Sequence, residues 1–114
     1  MTEEGEIQIF RALNFIRDNA PAYAKAKAER IYLENFRKSK KALLMRAAEI
    51  AGHKSAALQE REAYANTEYV DVLKALQVAV EEEERLRWLM VAAEARIEVW
   101  RTLESSRRIE KKTI

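Results

Sequence analysis

Between Thr67 and Lys112 the chain contains neither glycine nor proline, and over its whole length it has only two glycines and one proline. A sandwich, a barrel or a Gly-rich nucleotide-binding fold needs more turn chemistry than that. Helices need almost none. The long run also has the periodicity of a helix that buries one stripe. Tyr69, Val72, Leu76, Ala79, Leu86, Met90, Ala93, Ile97 and Trp100 keep a seven-residue repeat, interrupted by Glu83 and Glu104. Ala65-Asn66-Thr67 marks its start, with Glu68 and Asp71 in the first turn, where the helix dipole favours acids.

The upstream segments follow the same logic. From Pro21 to about Ala51, the residues Ala22, Ala26, Leu33, Phe36, Leu43, Ala47 and Ile50 recur at 3–4 spacing, interrupted by Glu29 and Lys40. Gly52 is placed to take the left-handed position that ends a helix. Before this, Ile9, Phe10, Leu13 and Ile16 share a face behind the acidic start Glu3, Glu4 and Glu6. Asn19-Ala20-Pro21 reads as a break, with Pro21 in the first turn of the next helix. Ser55 reads as the N-cap of a short helix. The expectation is one all-α domain over residues 1–114, with helices at about 6–19, 21–51, 55–64 and 67–112.

At about 1.5 Å per residue, the last helix is about 69 Å long, the second about 46 Å and the first about 21 Å. These lengths predict a long antiparallel, coiled-coil-like helical hairpin turning through Gly52–Asn66. The short N-terminal helix then covers the overhang near Ile97, Trp100 and Leu103. Tyr32, Leu44, Leu73, Val80, Leu89 and Val99 lie off the main seam, and many of them read as a second apolar stripe. Exposing that stripe forfeits several kcal/mol at about 25 cal/mol per Å². A homo-oligomer, a dimer or higher, is therefore expected as a helical bundle, with Leu73, Val80, Trp88 and Leu89 at the interface.

Much chemistry is excluded. There is no cysteine, and the single histidine rules out a His-rich metal site. No Walker A loop, G-x-G-x-x-G, G-x-S-x-G or H-E-x-x-H motif is present. Glu81-Glu82-Glu83-Glu84 can be read as a cation site through Glu81 and Glu84, or as a solvated face paired with Arg85 and Arg87. His53, at a helix end, interacts favourably with the dipole, and nothing singles out a nucleophile for it to activate. The expectation is no enzyme, no metal and no cofactor. No apolar run reaches 18 residues, and the acidic N-terminus does not resemble a targeting signal, so the expected location is the cytoplasm, without membrane contact.

The net charge of +2 is small, but the charge is unevenly distributed. Lys25, Lys27, Arg30, Arg37, Lys38, Lys40, Lys41 and Arg46 face only Glu29 and Glu34, a local balance of +6. Lys27, Arg30, Arg37, Lys38 and Lys41 fall near one face, suited to tracking phosphates, with Tyr23 or Tyr32 available for stacking. Arg101, Arg107, Arg108, Lys111 and Lys112 form a second cluster, which the hairpin is expected to bring next to the first. The nucleic-acid set is Lys27, Arg30, Arg37, Lys38, Lys41, Arg107, Arg108 and Lys111. The same residues also suit simple solubilisation of a long helix, or docking of an acidic protein.

Ala63-Tyr64-Ala65, Glu68-Tyr69 and, some 30 residues on, Trp100-Arg101 followed by a polar, basic end resemble a pattern in small helical accessory proteins of bacteriophages and prophages. The resemblance covers Arg61 to Arg108. It implies a phage-type accessory protein in the bacterial host cytoplasm, encoded near recombination or replication functions, and it implies no catalytic residue. The combined expectation is a non-enzymatic protein that contacts DNA, or a DNA-processing partner, through its basic helix and tail. The alternative is a structural or protein-binding coiled-coil adaptor or inhibitor without nucleic-acid contact.

Overall fold

A computed structural model describes residues 3–113. They form three helices, α1 Glu3–Ile50, α2 Ala56–Ala65 and α3 Thr67–Thr113, with no strand among the described residues. The architecture is the expected all-α antiparallel hairpin. It comprises two compact units. One contains the chain up to Ala24 together with the chain from Glu84 onward, and the other spans Lys25–Glu83.

The expected break at Asn19-Ala20-Pro21 is absent, and α1 runs unbroken through Pro21. Proline in a helix removes one N–H and leaves the carbonyl four residues earlier without its partner. That carbonyl belongs to Arg17, and both Arg17 and Pro21 are exposed, so water can take the lost bond. Asn19 does not stop the helix, because its side-chain amide donates to the Phe15 carbonyl at 2.9 Å along the same turn.

The C-terminal end of α1, both ends of α2 and the start of α3 are capped as the sequence indicates. Gly52 adopts φ +108°. The Gly52 N–H donates to the Glu49 carbonyl at 3.1 Å and the His53 N–H to the Ala48 carbonyl at 3.0 Å, the paired bonds of a Schellman ending. Ser55 caps α2, its hydroxyl accepting from the Leu58 N–H at 3.1 Å. Asn66 serves two helices. Its N–H donates to the Ala63 carbonyl at 3.3 Å to close α2, and its side-chain oxygen accepts from the Glu68 N–H at 2.8 Å to open α3.

In the Lys25–Glu83 unit, α3 buries the seam read from the sequence: Tyr69, Val72 and Ala79, with Leu76 half-buried and Glu83 buried among them. On α1 the predicted seam holds at Ala26, with Leu33 and Phe36 half-buried, and is rotated by about one position toward the C-terminal end of the helix. Ala26, Leu44 and Ala48 are buried, whereas Leu43 is 60% exposed and Ile50 80% exposed, and Ala22 and Ala47 also face solvent. The rotation sets Leu44 against Ala63 and Tyr69, with Met45 packed on the cluster, and turns Arg30, Lys40 and Lys41 toward carboxylates of α3 and α2. Ala63 has no exposed surface, and its methyl group lets α2 approach closely.

In the other unit, Ala12, Leu86 and Ala93 are buried. Gly5, Gln8 and Ile9 share a groove of about 750 Å³ with Val99, Trp100 and Leu103, so the start of α1 covers the predicted stretch of α3. Phe10 and Leu13, expected on the buried face, point to solvent. Six of the ten buried apolar residues described are alanines, so each unit has a thin core.

Candidate nucleic-acid interface

The Lys25–Arg46 stretch of α1 presents cations on two sides. On the inner side, Arg30 forms a two-pronged ion pair with Glu83 and also reaches Glu34 at 3.1 Å. Lys40 reaches Glu68 at 3.6 Å and Lys41 reaches Glu60 at 3.1 Å. The Lys41 ammonium also lies 4.6 Å from the centre of the Tyr64 ring, and the Tyr64 and Tyr69 rings meet edge to face at 5.3 Å. Tyr64 and then Glu60 hold the Lys41 pKa above its ordinary value, and Lys41 and then Tyr64 hold the Glu60 carboxyl below the usual range. Glu83, followed by Glu34, raises the already high pKa of Arg30.

The predicted contact residues therefore separate into two groups. Arg30 and Lys41 are engaged by carboxylates of the same unit. Lys27 and Lys38 are exposed and Arg37 is half-buried, and none of these three pairs with a carboxylate among the described residues. Lys25 and Arg46 are likewise exposed and unpaired. Arg37, Lys38 and Lys41 line one pocket of about 260 Å³ with Tyr64 and Tyr69. Sequence reasoning missed Glu60, Glu68 and Tyr64 as partners of this helix. Their only signal is that they precede or open a helix expected to fold back onto α1.

The C-terminal cluster belongs to the other compact unit. Arg107, Arg108 and Lys111 are exposed in the unit that contains the acidic start of α1, and Arg107 lines the groove with Gly5 and Ile9. Tyr23 is half-buried, and Tyr32 stacks on Phe36 with ring centres 5.9 Å apart.

The four predicted interface residues are all exposed: Leu73, Val80, Trp88 and Leu89. They do not share one stripe. By the heptad of α3, Leu73 and Val80 flank one side of the seam, Leu89 flanks the other, and Trp88 lies on the back beneath the Arg87 guanidinium, 4.6 Å from its ring centre. In the Glu81–Glu84 run, Glu83 is buried on Arg30 and Glu84 pairs with Arg87 at 2.7 Å. Among the described residues no group of three or more acidic or histidine side chains is arranged to hold a metal ion, and no helix is long and apolar enough to cross a membrane. His53 is half-buried, and its carbonyl accepts from the Gln59 side chain at 2.9 Å, fastening the turn to α2.

Fold and site together define a helical hairpin with a partly unpaired basic face. No family model, no curated protein and no solved structure matches the chain.

Proposed function

We propose that the protein is a non-enzymatic, self-associating accessory protein that contacts nucleic acid through the basic stretch of α1. The observation that carries this reading is the absence, among the described residues, of carboxylate partners for Lys25, Lys27, Arg37, Lys38 and Arg46, in a stretch whose other cations, Arg30, Lys40 and Lys41, are paired. Unpaired lysines and arginines along a rigid rod neutralise phosphates and release counterions without reading bases. Self-association follows from the thin alanine core and from the exposed Leu73, Val80, Trp88 and Leu89. A phage-type role near recombination or replication is the biological setting of this reading, and it rests on the sequence resemblance alone.

The test is a mobility shift on single- and double-stranded DNA at about 50 and 200 mM salt, where phosphate contacts weaken steeply. Wild type is retained at the lower salt, and Lys27→Glu with Lys38→Glu lowers retention at least ~10-fold without changing the melting temperature. No retention of wild type at the lower salt rejects nucleic-acid contact. A second reading, a protein-binding coiled-coil adaptor, is favoured by the apolar groove beside Ile9, Val99 and Leu103. It predicts sedimentation as an oligomer or hetero-complex with no DNA shift.

A further inference from the structure

The four inner cations of α1 are not treated alike. Arg30 has Glu83, Lys40 has Glu68 and Lys41 has Glu60. Arg37 is half-buried on the same side and has no carboxylate partner among the described residues. A guanidinium partly withdrawn from water without a counter-charge is unfavourable, so the site has an unmet demand for an anion. The demand is local, because Arg37 opens onto the pocket that Lys38, Lys41, Tyr64 and Tyr69 complete.

The composition of this pocket selects the anion. Of the three lining cations only Lys41 is paired with a carboxylate among the described residues, Glu60, which leaves a positive excess. Arg37 offers a planar fork of donors that suits bidentate contact with an oxyanion, whereas Lys38 and Lys41 act as point charges. Lys41 is held in place between Glu60 and the face of Tyr64, so little order remains to be imposed on binding. Because Lys41 covers one face of Tyr64 and Tyr69 meets the ring edge to face, the aromatics serve as walls rather than as a stacking platform. At about 260 Å³ the space exceeds a bare oxyanion and accommodates the sugar attached to it.

The geometry points to a phosphate-binding site formed by Arg37, Lys38 and Lys41, which grips one backbone phosphate of a nucleic acid without base recognition. This inference rests on the proposed nucleic-acid contact and narrows it to one pocket.

The experiment uses the full chain, with ¹⁵N spectra that resolve the Arg37 Nε–H, titrated in separate arms with inorganic phosphate, a single-stranded oligonucleotide, and sodium chloride at matched ionic strength. Expected are shifts at Arg37 with phosphate and with the oligonucleotide, but not with chloride. Arg37→Gln then weakens oligonucleotide binding about 10-fold and reduces the salt slope by about 1, while its melting curve stays that of wild type. Lys27→Gln, outside the pocket, leaves the phosphate shifts at Arg37 intact. If the oligonucleotide binds without moving Arg37, this pocket is overturned and the broader contact survives. Phosphate shifts with no oligonucleotide binding retain an oxyanion site but overturn its assignment to a nucleic-acid backbone, together with the proposed function. If no arm moves Arg37, the site is overturned outright.

Discussion

Arg30 and Glu83 lie 53 residues apart in sequence and meet in a two-pronged ion pair within the Lys25–Glu83 unit, where Glu83 is 6% exposed. Both occupy seam positions. An apolar pair there is compatible with many registers, whereas a charged pair is satisfied in one.

Removing one partner should therefore cost more than removing both. Glu83→Ala leaves Arg30 with only Glu34 and is expected to destabilise the protein by about 1–3 kcal/mol. The double change Arg30→Met with Glu83→Leu is expected to recover most of that loss. Thermal unfolding followed by circular dichroism compares the two, and a double variant no more stable than Glu83→Ala contradicts the argument.

The Lys41–Glu60–Tyr64 cluster makes stability depend on pH at both ends. Glu60 has its pKa lowered from about 4.5, so its contribution is complete above that value and is lost as pH falls through the lower folded value. Lys41 has its pKa raised from about 10.5, so its contribution is complete below that value and is lost as pH rises through the folded value. Both side chains touch water, which keeps the effect small. Lys41→Met should lower the melting temperature at neutral pH by about 2 °C, and the gap from wild type should close in acid. A gap that persists unchanged at pH 3 contradicts this.

Pro21 sits on the exposed side of a continuous helix. Pro21→Ala restores the bond to the Arg17 carbonyl and removes no packing, so a gain of about 1–3 kcal/mol is expected. The urea midpoint should rise at constant m-value. A lower midpoint means that the proline supports the helix in a way its exposure does not reveal.

Gly52 holds φ +108°, and a Cβ added there meets nothing within 4 Å. The cost of Gly52→Ala is then conformational alone, about 1 kcal/mol. Chemical denaturation measures it, and Gly52→Asn should lose less, because asparagine tolerates the left-handed region better.

Much of the fold is visible in residue order. The repeat from Tyr69 to Trp100 predicts the buried face of α3, and Gly52, Ser55 and Asn66 mark helix ends through chemistry confined to one or two turns. Local signals fail where a choice depends on a distant partner. On α1 the apolar residues Leu43 and Ile50 describe a plausible seam, but the chain buries Leu44 and turns Arg30, Lys40 and Lys41 inward. An inward cation is costly unless a carboxylate meets it, and Glu83, Glu68 and Glu60 are too far away in sequence to reveal that they will. Pro21 misleads for the complementary reason, since its cost depends on whether the freed carbonyl faces water.

The candidate site follows the same division. That α1 is basic is a property of composition, and the eight cations between Lys25 and Arg46 can be counted without coordinates. Which of them are neutralised by carboxylates of their own unit, and that Arg37 is left facing a pocket with two tyrosines, is decided by tertiary contact alone. The physical reason is range. Helix propensity and capping act within a turn, whereas an ion pair across two helices exists only after the chain has folded back on itself.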